Sequence, residues 1–248
     1  MTAALDPPTV AVDYGFRASG ELAAEVLRLG AEGQPVLVID EVMERPAPLV
    51  AYAERQARFA ASREAGNFYP GVRAPAPRGY VEGLYDALRP LMAATFGFSA
   101  DTPAAISCAL SLVTLPPARL NLAQRLPHID TPNPRQFAVL HYLCDGSHGG
   151  TAFYRHRATG FEAIDEARSA EYLERLRGEI ERDGAPPAAY IRGATPLFDQ
   201  IGRVEARFNR LVVYRSQQLH AGVIERAESL SADPRLGRLT ANTFITIE

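Results

Sequence analysis

A chain of 248 residues, 47% hydrophobic and 22% charged, can bury a sizeable core without cross-links. Its net charge of −3, with arginine spread along the chain rather than gathered in a stripe, speaks against a nucleic-acid backbone as the main partner. Two cysteines, Cys108 and Cys144, are too few for a disulfide framework or a thiolate metal site, so a reducing cytoplasm is expected. The first eight residues do not read as a secretory signal, and no apolar run of about 18 residues suggests a membrane span. A small-molecule or peptide-like partner is therefore expected, with neither nucleic acid nor membrane; the oligomeric state is not legible.

In chain order, the apolar run at 35–40 reads as a short buried strand, and residues 46–59 follow with helical spacing and proline near the start. Residues 67–79 carry Pro70, Pro75 and Pro77 and are expected to form an ordered loop. Helical spacing resumes over 80–96 through Leu84, Leu88, Leu91 and Met92. From residue 106 the pattern turns to β, with runs at 106–115, 136–143, 151–155, 210–214 and 239–247 rich in β-branched or aromatic residues and separated by turns. Residues 161–183 interrupt them with an amphipathic helical pattern. The expected fold is α+β in a single domain spanning 1–248. An N-terminal helical support region (1–105) would pack on an antiparallel sandwich or jelly roll (106–248) that carries a helical insertion at about 161–184.

The segment Pro127-His128-Ile129-Asp130 carries the strongest chemical signal. An imidazole and a carboxylate two residues apart leave the same face of an extended strand, so both can reach one cation. His220 on a remote strand would supply a third donor. Two imidazoles and one carboxylate on one side of a metal leave its other positions open, the arrangement of non-haem Fe(II) oxygenases. His141 should point away from the face that carries Tyr142 and is expected to be structural. His148 and His156, expected in or near loops, are rival donors, but neither has a carboxylate two residues away.

Four separated motifs, in order, resemble the 2-oxoglutarate/Fe(II)-dependent oxygenase superfamily and in particular its prolyl-hydroxylase-like branch. His128-Ile129-Asp130 matches the proximal metal motif. His141-Tyr142-Leu143 followed by Gly149-Gly150-Thr151-Ala152-Phe153 matches the strand, turn and strand after it. Residues 209–216 leading to His220 resemble the strand that delivers the distal ligand, and Arg238-Leu239-Thr240 resembles the family's Arg-x-Ser pair. The resemblance implies a double-stranded β-helix in which His128, Asp130 and His220 bind Fe(II) and act in catalysis. It also implies 2-oxoglutarate as cosubstrate, O2 as oxidant, and Arg238 holding the far carboxylate with hydroxyl help from Thr240 and Tyr142. A planar guanidinium that stays ionised suits that task.

The implied reaction hydroxylates a C–H bond of an amino acid, a peptide side chain or a small metabolite. Asp130 in the carboxylate position favours hydroxylation over halogenation. Arg238, Thr240, Asn242 and Phe244 share one strand face, as a pocket wall requires, and Tyr69, Arg73, Asn242 and Phe244 are candidates for contact with substrate. Two departures stand out. Seventeen residues separate His220 from Arg238, more than the family usually has, and a displaced last strand would bring Arg235 to the cosubstrate instead. The 161–183 helix, expected above the site mouth, suggests a lid, a partner surface or a passive insertion. The alternatives are a cupin-like metal enzyme that does not use 2-oxoglutarate and a non-catalytic jelly-roll binding protein.

Overall fold

A computed structural model describes residues 12–61, 69–228 and 230–248; Asn67 and Phe68, at the start of the expected 67–79 loop, lie outside them. Among the described residues, eleven strands form two antiparallel sheets. The large one has the order β1 (Ala24–Leu29), β2 (Gln34–Ile39), β9 (Arg210–Arg215), β6 (Gln136–Tyr142), β11 (Leu239–Ile247), β5 (Ala104–Val113), β4 (Gly71–Pro75), β3 (Ala60–Ala61). The small one runs β10 (His220–Val223), β7 (Gly150–His156), β8 (Phe198–Glu205). From β6 onward the chain visits the sheets as large, small, small, large, small, large.

Side-chain alternation sorts these strands into layers. Leu37, Ile39, Val139, Leu211, Val213, Ala241 and Ile245 leave one face of the large sheet and pack on α1 (Ala47–Arg55) and α2 (Arg78–Phe96). Val36, Val38, Ala138, Val212 and Tyr214 leave the other face and meet Phe153 and Val204 of the small sheet. Strand β2 is thus covered on both sides, and its unbroken apolar run follows from that. On α2 the buried stripe Tyr80, Leu84, Leu88, Met92 and Phe96 keeps helical spacing, and Gly97 closes the helix at φ 78°. Ala152, Tyr154 and Ala221 on the outer face of the small sheet pack against α3 (Glu166–Asp183).

Three expectations need correction. The first 105 residues are not only a helical layer: β1, β2, β3 and β4 lie there and extend the large sheet, so the prolines at 70 and 75 bracket a short strand rather than a loop. Helix α3 does not stand above a site mouth. Asp165 caps it by accepting from the Arg168 backbone N–H at 3.0 Å, and Tyr172, Leu176 and Ile180 turn onto the outer face of the small sheet. His156, buried at the end of β7 beside the turn that follows it, meets Glu179 of that helix at 2.7 Å. Among the described residues no helix is long and apolar enough to cross a membrane, and both cysteines are free.

One buried carboxylate ties the N-terminal hairpin to the insertion. Glu162 accepts from the backbone N–H groups of Ala31 and Glu32, each at 2.9 Å, in the turn between β1 and β2. Gly30 in that turn has φ +64°, and a Cβ there would stand 2.1 Å from Glu162 Oε2. Only glycine lets the turn close on the carboxylate.

His141 lies on the helix-facing side of β6, as its alternation with Tyr142 predicts. Its Nδ1 is 3.0 Å from the Tyr80 hydroxyl and its Nε2 is 3.2 Å from Asn209 Oδ1. Asn209, at φ 64°, also exchanges hydrogen bonds with the Met43 backbone. Burial lowers the His141 pKa to about 4, against the opposing pull of Asn209. The unfolded chain therefore binds more protons than the fold below about pH 6.5, so stability present at neutral pH is lost as pH falls from about 6.5 through about 4. His141→Leu is expected to remove up to about 3 kcal/mol of that pH-dependent loss, read from denaturant unfolding of both proteins at pH 7 and pH 4.5. Equal slopes in the two proteins would show that His141 contributes none of it.

Candidate metal centre

The segment before β6 approaches the small sheet through a single backbone bridge. His128 and His220 exchange N–H···O=C bonds of 2.9 Å in both directions, and the Asp130 N–H donates to Ser216 O at 2.9 Å. This bridge continues the small sheet past β10 and places the two imidazoles side by side, ring centroids 4.4 Å apart. Asp130 reaches both: its carboxylate oxygens lie 3.9 Å from His128 Nε2 and 3.7 Å from His220 Nε2. The donor atoms of the three lie within 4.8 Å of one another, in the one cluster found among the described residues that could hold a metal ion.

The chemistry of the donor set suits a cation. His220 Nδ1 donates to the Gln218 carbonyl at 2.8 Å, which leaves the Nε2 lone pair directed at the cluster. Burial first, then the neighbouring imidazole, lowers the His128 pKa to about 4, while Asp130 opposes. The His128 side chain is 51% exposed, so water tempers the first cause and leaves the second. Burial also lowers His220 to about 4. Both shifts favour the neutral ring, the form that binds a metal. Asp130 is pushed up to about 6 by burial, against His128 and Arg73; a carboxylate held this way gains from a cation.

Deeper on the inner face of the large sheet lies Arg238, 6% exposed. One of its terminal nitrogens donates to Gly150 O at 2.8 Å, and its guanidinium carbon is 5.6 Å from the Tyr142 ring centroid. Its Nε has no hydrogen-bond partner, and no carboxylate pairs with it among the described residues. A buried guanidinium with free donors is costly unless an anion completes it. The start of β7 lies close against its neighbours β10 and β8 because positions 149 and 150 are glycine. Gly149 has φ +94° and a Cβ there would meet Val223 O at 2.0 Å, whereas one on Gly150 would meet Val204 O at 2.2 Å.

Thr240 lies opposite Tyr142 in the register of β11 and β6, and the Tyr142 hydroxyl is engaged with Thr151 Oγ1 at 2.6 Å. Asn242 and Phe244 continue the same face, with Asn242 Oδ1 buried and unpartnered. Tyr69 sits beside Thr240, Arg238 and Arg73. Arg235 is on the surface, 3.7 Å from Glu54 and 67% exposed, so the long loop after β10 does not bring it inward. His148 is in a short 3-10 turn outside the cluster.

Sequence reasoning gave no site role to Ser111, Phe153, Tyr214 or Gln218, although Phe153 and Tyr214 lie within its motifs. Tyr214 packs on His220 with centroids 4.8 Å apart, and Phe153 pairs with His220 in the strand register. In β5 the alternation of small Ser107, Ala109 and Ser111 with larger Ile106, Cys108, Leu110 and Leu112 was a signal that one face lines a space rather than a core.

Layers and donor set together define an antiparallel α+β protein with a candidate mononuclear metal centre between its sheets. The chain belongs to DUF6445, a family of unknown function, whose model matches residues 20–245. No curated protein matches it in sequence. Similar solved structures include HygX from Streptomyces hygroscopicus with nickel and 2-oxoglutarate bound, at 14% identity over 87% of this chain and 84% of that one, TM-score 0.49. The carbocyclase SnoK of nogalamycin biosynthesis, described as non-haem and alpha-ketoglutarate dependent, shows 13% identity, 94% and 87% coverage, TM-score 0.49. EvdO2 from Micromonospora carbonacea var. aurantiaca, complexed with 2-oxoglutarate, shows 13% identity, 87% coverage of both chains, TM-score 0.44.

Proposed function

We propose that this protein is an Fe(II)- and 2-oxoglutarate-dependent oxygenase that hydroxylates a C–H bond of an amino acid, a peptide side chain or a small metabolite. The observation that carries the reading is the pairing, on facing inner walls, of a two-imidazole, one-carboxylate cluster with a buried arginine that lacks an anion. The alternation of the chain between two sheets from β6 to β11 supports a double-stranded β-helix, and the order of the motifs supports the prolyl-hydroxylase-like branch.

Iron together with 2-oxoglutarate, when bound, supplies the oxidising power for C–H hydroxylation. His128, Asp130 and His220 would hold the ion on one side and leave the other side for ligands. The Gln218 carbonyl keeps the His220 tautomer and ring orientation. Arg238 would bind the far carboxylate of the cosubstrate, with the Thr240 hydroxyl beside it, while the Gly150 carbonyl and the Tyr142 ring would brace the guanidinium. Phe153 and Tyr214, both nearly fully buried, exclude water from the His220 side.

Anaerobic addition of Fe(II) to the protein with 2-oxoglutarate is expected to produce the visible charge-transfer absorption of a 2-oxo acid chelate, and air is then expected to yield succinate. Folded protein that gives neither absorption nor succinate would overturn the reading.

A further inference from the structure

One charged group on the inner wall lies outside the metal donor set and is not the arginine to which the proposed reading gives the cosubstrate. Strand register aligns Arg73 of β4 with Ser111 of β5, and Ser111 with Thr240 of β11. All three therefore leave the same face of the sheet. Arg73 Nε donates to Ser111 Oγ at 3.3 Å, and its guanidinium carbon stands 5.8 Å from the Tyr69 ring centroid. Among the described residues no carboxylate forms an ion pair with it; the charge that feels it is Asp130, whose carboxyl Arg73 pulls down. A hydroxyl on one side and an aromatic ring on another fix the orientation of a planar fork of donors before any ligand arrives.

Charge accounting then indicates what the fork would meet. On the proposed reading, Fe(II), Asp130, the dianionic cosubstrate and Arg238 sum to zero, which leaves Arg73 as one uncompensated positive charge in a half-buried site. A monoanion balances it. Beside this row the same face continues through partly buried Leu140, Asn242 and Phe244, a mostly apolar bed. We infer that the primary substrate is a carboxylic acid with an apolar body, its carboxylate held by Arg73 beside Ser111, so that Arg73 determines specificity. The inference rests on the oxygenase reading and narrows its substrate class.

The test uses the whole protein loaded anaerobically with Fe(II) and saturating 2-oxoglutarate, titrated calorimetrically with phenylacetate and with phenylacetamide as probes. The acid is expected to bind at least about tenfold more tightly than the amide, as one to two charge-assisted hydrogen bonds provide. Arg73→Gln is expected to erase that preference while leaving 2-oxoglutarate affinity within about threefold of the parent. Arg73→Lys, which keeps the charge without the fork, is expected to retain part of the preference and serves as the readout if the glutamine variant does not fold. An acid that binds no better than its amide, or not at all, overturns the inference. So does an Arg73→Gln protein that loses 2-oxoglutarate as severely as Arg238→Gln, an outcome that assigns Arg73 to the cosubstrate and leaves the oxygenase reading standing. Failure of the parent protein to bind 2-oxoglutarate overturns both.

Discussion

Replacing His220 by alanine is expected to weaken Fe(II) binding by more than about 100-fold and to abolish succinate formation. Removing a group that only orients a metal ligand already costs roughly 10–100-fold, and His220 would be a ligand itself. Its Nε2 is committed to the cluster by the Nδ1 bond to Gln218, so no rotation of the ring offers another donor of equal quality. The neighbouring backbone bonds between positions 128 and 220 involve no side chain, so the bridge should survive the substitution. Thermal unfolding should confirm that the variant folds, and Fe(II) titration should read the loss. His148→Ala, outside the cluster, is expected to bind Fe(II) like the parent. Equal Fe(II) affinity in folded His220→Ala would remove His220 from the metal site.

Arg238→Ala is expected to weaken 2-oxoglutarate binding by at least about 100-fold while Fe(II) alone still binds. Charge-assisted hydrogen bonds to a buried carboxylate contribute about 1.5–3 kcal/mol each, and a fork can make two of them. Arg238 is also a brace, since it donates to Gly150 and lies against Tyr142, so some loss of stability is expected too. Cosubstrate affinity at a temperature where the variant is folded separates the two roles: a purely structural arginine would lower the melting temperature and leave that affinity untouched. Arg235→Ala provides the control, because Arg235 is exposed and lies near Glu54; its 2-oxoglutarate affinity should match the parent.

Several elements were readable locally because burial imposes its own period. Strands β2, β6, β9 and β11 show apolar runs or two-residue alternation, and α2 shows a helical stripe, since each of these elements has at least one face against a core. Strands β1, β4 and β8 were not readable. β1 and β8 lie at sheet edges, and β4 is flanked only by the two-residue β3 on its outer side. Their residues are mostly half-exposed and mixed in character, and the prolines bounding β4 read as loop signals. Helix α3 was recognised from its amphipathic period, but that period says only that one face is buried; which surface it buries was decided by Tyr172, His156 and the outer wall of the small sheet.

The amino-acid order by itself determined the kinds of donor available, the pairing of His128 with Asp130 at two-residue spacing, and the shared face of Arg238, Thr240, Asn242 and Phe244. Those follow from the periodicity of an extended backbone. Only the tertiary structure decided that His220 meets that pair, that Arg238 rather than Arg235 points inward, and that Arg73 and Ser111 stand in the same row. The reason is physical: hydrogen-bond register between strands remote in the chain sets which side chains become neighbours, and no local pattern encodes that register.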